Sequence, residues 1–171
     1  AATGAKPLDL PGFTGENVLQ AVDVLNGKEL NGKDVVVLGG GTTGCETALY
    51  LAQKGFNVVL AEASGQLAAG MENMNRMELL SGLKNSGVKR HLNCSLKGLR
   101  EGQALLQLAD GSTESVPCDA LILAVGMAPE HKIAGWLREL VPQVRVIGDA
   151  DRPRNIETAL YQAEAAARTL A

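Results

Sequence analysis

Aromatic side chains are scarce in this chain of 171 residues: one Trp, two Tyr and two Phe make up 3 % of it. Any core must therefore rest on Leu, Val, Ile and Ala. Hydrophobic residues at 46 % and charged residues at 20 % allow such a core and argue against disorder. Cysteine is limited to Cys45, Cys94 and Cys118, widely spaced and without a CxxC pair. No zinc site or dithiol centre is suggested, so no metal is expected, and the thiols are expected to be reduced and in or near the core. The two histidines, His91 and His131, have no Ser, Cys or Asp partner at a meaningful spacing. A surface or satisfied-core role is expected for both, and no catalytic residue is assigned. With 16 basic and 19 acidic residues the net charge is −3, and no basic block stands out. That argues against a phosphate-backbone surface and against nucleic acid as a partner. No apolar run approaches the roughly 20 residues needed to cross a bilayer. No membrane partner is expected, and a cytoplasmic location is the default expectation.

The length favours one domain of ordinary size or two small ones. Residues 1–12 contain two prolines and two glycines, which break any regular element. Val18, Leu19, Val22 and Leu25 are spaced to cover one face of a short helix over 16–26. Val35 to Leu38 is an unbroken apolar run of β-branched character, as in a strand buried on both faces. Thr43 to Lys54 reads as a helix stopped by Gly55, and Asn57 to Glu62 as a second buried strand. These three elements have the size of one βαβ unit. Glu72 to Asn85 reads as a helix. From about 90 to 118, short segments split by Glu101-Gly102 and Asp110-Gly111 read as a small antiparallel insert. Ala120 to Val125 and Val144 to Ile147 read as further strands, and a helix runs from about Ile156 to Leu170. Met71, Met74 and Met77 suggest core packing, and Trp136, Leu137 and Leu140 one apolar helix face. The expected fold is α/β: a Rossmann-like parallel sheet with helices and the antiparallel insert.

Gly39-Gly40-Gly41-Thr42-Thr43-Gly44 satisfies G-x-G-x-x-G, directly after a buried strand and directly before a helix. Gly39 permits the tight turn, Gly41 lets the backbone approach a pyrophosphate, and Gly44 lets the helix pack close to the strand. The free amides of the helix start, at Thr42 and Thr43, then face the phosphates. Glu62, at the end of the second strand, suits the ribose hydroxyls. With no Arg or Lys among Ala63, Ser64 and Gly65, it favours NAD over NADP. Its plainer role is a solvated charge at a strand end. Glu46 is expected in the first helical turn, where a carboxylate favours the dipole, or else pointing into the cleft. Asp149, read as following a buried strand, is placed on the ligand side of the sheet. Finally, Ala2-Thr3-Gly4-Ala5-Lys6-Pro7 resembles Ala124-Val125-Gly126-Met127-Ala128-Pro129. This is either chance or the mark of two related nucleotide-binding units.

Val35 to Glu62, Asp119 to Pro129, and the run Gly148-Asp149 … Pro153-Arg154-Asn155-Ile156 … Ala159 … Ala163 … Ala166 resemble a known pattern. They look like the C-terminal part of NADH:flavin oxidoreductases of the 2,4-dienoyl-CoA reductase and trimethylamine dehydrogenase type, and more widely the flavoproteins with two dinucleotide-binding domains. The resemblance implies an inner NAD(P)-binding domain at 31–140, inserted into an outer FAD- or ADP-binding-type domain represented by 1–30 and 141–171. It implies Thr3 and Gly4 near the outer nucleotide, Gly148 and Asp149 at its ribityl or pyrophosphate region, and Gly126 and Met127 beside the inner NAD(H). The family's outer G-x-G-x-x-G, its flavin-bearing barrel and its iron–sulfur cysteines have no counterpart here. The chain is therefore expected to be part of a larger flavoenzyme, its partner being the rest of that enzyme, with FAD bound only in the intact protein. The implied function is to bind NADH and pass a hydride to a flavin outside this chain. The alternative is a non-redox ADP- or NAD-binding structural or regulatory module.

Overall fold

The unbroken apolar runs become the strands of a parallel sheet. In the computed structural model, which describes residues 5–169, the elements are β1 (Ala5–Pro7), β2 (Val18–Gln20), α1 (Ala21–Leu25), β3 (Asp34–Leu38), α2 (Thr42–Gln53), β4 (Asn57–Ala61), α3 (Asn73–Asn85) and β5 (Lys89–His91). They continue with β6 (Ser95–Arg100), β7 (Gln103–Gln107), β8 (Thr113–Pro117), β9 (Ala120–Leu123), β10 (Met127–Pro129), α4 (Lys132–Leu140), a 3-10 turn at Gly148–Ala150, and α5 (Ile156–Thr169). Two compact units result: Asp9–Gly126, and Ala1–Leu8 with Met127–Ala171.

In the larger unit, five strands run parallel in the order β2-β9-β3-β4-β5. Alternate residues of β3 serve different cores. Val35 and Val37 pack with Cys45, Ala48 and Leu51 of α2, while Val36 and Leu38 pack with Ala104, Leu106 and Val116 of the antiparallel sheet β6-β7-β8. The antiparallel insert is thus the third layer of a helix–sheet–sheet sandwich. This is why β3 and β9 carry no polar face: both sides are covered. Its first hairpin turns on Glu101 (φ 47°) and Gly102 (φ 75°), the two positive values that a two-residue turn matching strand twist requires. Helix α2 ends in a Schellman motif: Gly55 donates to Ala52 at 3.0 Å and Phe56 to Leu51 at 3.2 Å.

Several expectations need correction. The helix expected over 16–26 is only Ala21–Leu25, because Val18, Leu19 and Gln20 pair with Leu121, Ile122 and Leu123 as the sheet's edge strand. Cross-strand pairing overrides the helical spacing there. Val144 to Ile147 forms no strand among the described residues, and Ile147 is 37 % exposed. No neighbouring strand takes its amides and carbonyls. Met74 and Met77 are 76 % and 71 % exposed, since Leu79 and Leu83 form the buried stripe of α3 and these methionines lie roughly opposite. Only Met71 packs against the core. In α4 the buried residue is Ala134, and Trp136 and Leu140 are exposed.

In the smaller unit β1 and β10 pair antiparallel, Ala5 opposite Pro129 and Pro7 opposite Met127. These strands are the last three residues of the two repeated hexapeptides. Thr3 and Gly4 lie outside the described residues. Helix α5 buries none of its residues, with Ile156, Leu160 and Tyr161 all exposed.

Candidate functional site

The order β2-β9-β3-β4-β5 places a topological switch between β3 and β9, since the chain leaves β3 toward β4 and later returns on the other side. In open parallel sheets the crevice beyond the strand ends at such a point is the ligand site. Here it is a cavity of about 500 Å³ in the larger unit, within the range of small-molecule sites. Gly39, Gly41, Glu62, Ala124 and Gly126 are among its lining residues.

Each loop glycine has its own steric setting. Gly39 has φ 106°, and a Cβ there would stand 2.7 Å from the Ala124 carbonyl carbon, where the end of β9 crosses the loop. At Gly44 a Cβ would be 2.9 Å from the Gly39 carbonyl carbon and closer still to its oxygen, so α2 seats directly against the turn. At Gly41 a Cβ would meet nothing within 4 Å. Gly41 is the N-cap of α2 and no side chain caps that end. The amides of Thr42, Thr43 and Gly44, which no helical carbonyl can take, are left for an external acceptor. Open space, an uncapped 12-residue helix and its dipole together fit a phosphate.

Glu62 caps the same region from β4. Its Oε2 accepts the Gly40 N–H at 2.5 Å and its Oε1 the Ser64 N–H at 2.6 Å. Partial burial pushes this carboxyl upward, but the Gly40 and Ser64 amides outweigh it and hold the pKa below the ordinary value. Each oxygen keeps further acceptor capacity for a hydroxyl. One plainer expectation changes. Helix α2 starts at Thr42, so Glu46 lies beyond its first turn, which holds no acidic residue, and it does not line the cavity. Met127 opens β10 in the smaller unit and is 44 % exposed.

The cavity also takes residues that no spacing flagged: Leu10, Ala63, Cys94, Ser95 and Leu96. Leu10 reaches it from the N-terminal segment, Ala63 from beyond the end of β4, and Cys94, Ser95 and Leu96 from the start of the antiparallel layer. All three thiols are free and buried. Burial pushes Cys45 and Cys118 up to about 11 and raises Cys94 as well, so none is a thiolate at neutral pH. His91 Nδ1 lies 3.6 Å from Glu114 Oε2, joining β5 to β8.

In the smaller unit Gly148 and Asp149 sit in the 3-10 turn, not after a buried strand. Asp149 Oδ1 accepts the Arg154 N–H at 3.3 Å, and both line a hollow of about 540 Å³ with Asn155 and Ile156. Asn155 Oδ1 accepts the Thr158 N–H at 2.9 Å and caps α5.

Fold and cleft define a Rossmann-like nucleotide-binding protein. Residues 1–163 match the pyridine nucleotide-disulphide oxidoreductase family, and the chain belongs to it. The family binds FAD and NAD(P)H. The NADH oxidase of Thermoanaerobacter brockii is 34 % identical over 156 residues, covering 87 % of this chain and 24 % of that protein. The metal reductase of Desulforamulus reducens is 31 % identical over 193 residues, covering 95 % of this chain and 29 % of that protein. Among solved structures, 2-naphthoyl-CoA reductase in complex with 2-naphthoyl-CoA superposes with a TM-score of 0.85 at 24 % identity, covering 94 % of this chain and 25 % of that one. That likeness concerns the fold alone. The chain thus spans about a quarter of the length of these proteins. Among the described residues no helix is long and apolar enough to cross a membrane.

Proposed function

We propose that the larger unit binds NADH in the cleft beyond β3, β4 and β9, as the pyridine-nucleotide domain of an NADH:flavin oxidoreductase. The observation that carries this reading is the uncapped start of α2, beside an open Gly41 and facing a cavity of about 500 Å³. Gly41, Thr42 and Thr43 hold the pyrophosphate with backbone amides, and Glu62 accepts the adenosine ribose hydroxyls. A 2′-phosphate would meet the Glu62 carboxylate as a like charge, so NADH is preferred to NADPH. When bound, the nicotinamide supplies a hydride and a flavin accepts it. The chain itself binds, orients and shields, and none of its residues acts as acid, base or nucleophile. The flavin belongs to an outer dinucleotide domain, to which Gly148 and Asp149 contribute and whose remainder lies in the larger parent enzyme.

NADH titration followed by fluorescence, repeated on Gly41→Val, tests the reading. Binding that is lost on substitution supports it. A chain that binds neither NADH nor ADP, or binds unchanged after Gly41→Val, sinks it. A chain that binds ADP as tightly as NADH and transfers no hydride within the parent enzyme points to the structural nucleotide module instead.

A further inference from the structure

Gly40, in the middle of the glycine loop, has its backbone polar groups held from beneath. Its N–H goes to Glu62 at 2.5 Å, and its carbonyl accepts the Ala68 N–H at 2.7 Å and the Cys45 thiol at 3.4 Å. The Gly40 amide is thus unavailable to a phosphate, and both polar groups of this loop residue are fixed. Ala68, which supplies one of these holds, is fully buried and sits at φ 47°. A residue with a Cβ keeps that left-handed conformation only where its surroundings over-determine it. Three contacts do so here. Ala68 donates to Gly40, Met71 donates to the Ala68 carbonyl at 3.0 Å, and Arg76 Nε donates to the Leu67 carbonyl at 2.7 Å. Leu67 is itself buried, and its side chain occupies the space a Gly40 side chain would need.

We propose that Arg76 is a positioning residue for the dinucleotide loop: from the start of α3 it locks the Leu67–Ala68 turn, which in turn locks Gly40. Arg76 does not line the cavity. It acts through its Nε–H, not through its charge. No spacing in the sequence ties residue 76 to residue 40. The proposal rests on the NADH reading of the cleft.

Two substitutions in the full 171-residue chain separate donor from charge. Arg76→Gln keeps an N–H donor at the same number of bonds from the backbone as Nε. Arg76→Met keeps the length and removes the donor. The expected result is that Arg76→Met weakens NADH binding about tenfold while Arg76→Gln stays within about threefold of the starting chain. Hydrogen exchange at the Ala68 amide is expected to accelerate in Arg76→Met alone. Equal loss in both variants means that the guanidinium charge acts directly and overturns the proposal, as does unchanged affinity or unchanged Ala68 protection in Arg76→Met. If Arg76→Met fails to fold, Arg76→Gln decides, since loss of affinity or of Ala68 protection in it is equally fatal. A starting chain that binds no NADH defeats the function reading, and the brace then stands or falls on Ala68 exchange alone.

Discussion

Replacing Gly44 with Ala tests how α2 is seated. A Cβ there would stand 2.9 Å from the Gly39 carbonyl carbon, nearer still to its oxygen, and 3.2 Å from the Ala124 Cβ. The oxygen belongs to the backbone turn at the end of β3 and cannot rotate away. Relief requires α2 to lift from β3, and the helix also carries the buried Cys45, Thr47, Ala48 and Leu51. Overpacking of this kind costs about 3 kcal/mol. The better helix propensity of Ala returns about 1 kcal/mol. The net loss is about 2 kcal/mol, which at this size lowers the melting temperature by about 4–8 °C. Gly41→Ala is the matched control. Its backbone (φ −65°, ψ −178°) suits any residue, and a Cβ there meets nothing within 4 Å. Its stability should stay within about 0.5 kcal/mol of the starting chain, while NADH affinity falls. Circular dichroism melts and NADH titrations on both variants give the answer. A Gly44→Ala variant as stable as the starting chain would refute the seating. A stable Gly41→Ala variant with full NADH affinity would refute the phosphate position.

Glu62 makes stability depend on acid. Its folded pKa lies below the ordinary 4.5, so the stabilisation is complete above that value and is lost as pH falls through the depressed one. Urea midpoints taken from neutral to acidic pH should show this loss, and Glu62→Gln should flatten it. In nucleotide titrations NADH should bind more tightly than NADPH, and Glu62→Ser should narrow the gap; tighter NADPH binding by the unmodified chain would remove the role given to Glu62. Cys45, Cys94 and Cys118 should resist a thiol-specific chromogenic reagent at mildly alkaline pH and all react in denaturant, because burial disfavours each thiolate. Rapid native labelling of Cys45 or Cys118 would contradict their placement in the core.

Local chemistry made the dinucleotide unit legible in the sequence. The β-branched run at 35–38, the glycine spacing at 39–44 and Glu62 at the next strand's end each follow from short-range sterics and hydrogen bonding. So do the turns at Glu101-Gly102 and Asp110-Gly111, where positive φ values are needed. Where the outcome depended on partners far along the chain, periodicity misled. Val18 to Gln20 had helical spacing but found an open sheet edge at β9. Val144 to Ile147 had a strand's composition but found no neighbour among the described residues, and the methionines of α3 were displaced from the core by Leu79 and Leu83.

The amino-acid sequence alone therefore determined that a strand, a glycine turn and a helix would follow one another, because those properties reside in consecutive residues. Only the tertiary structure decided what surrounds them. The antiparallel layer brings Cys94, Ser95 and Leu96 to the cavity wall, and β9 crosses beside Gly39. Ala68 donates to the Gly40 carbonyl across a gap of 28 residues, and Arg76 to the Leu67 carbonyl across a gap of 9. Such contacts depend on the order of strands in the sheet and on how closely its layers pack, and neither is written in local spacing.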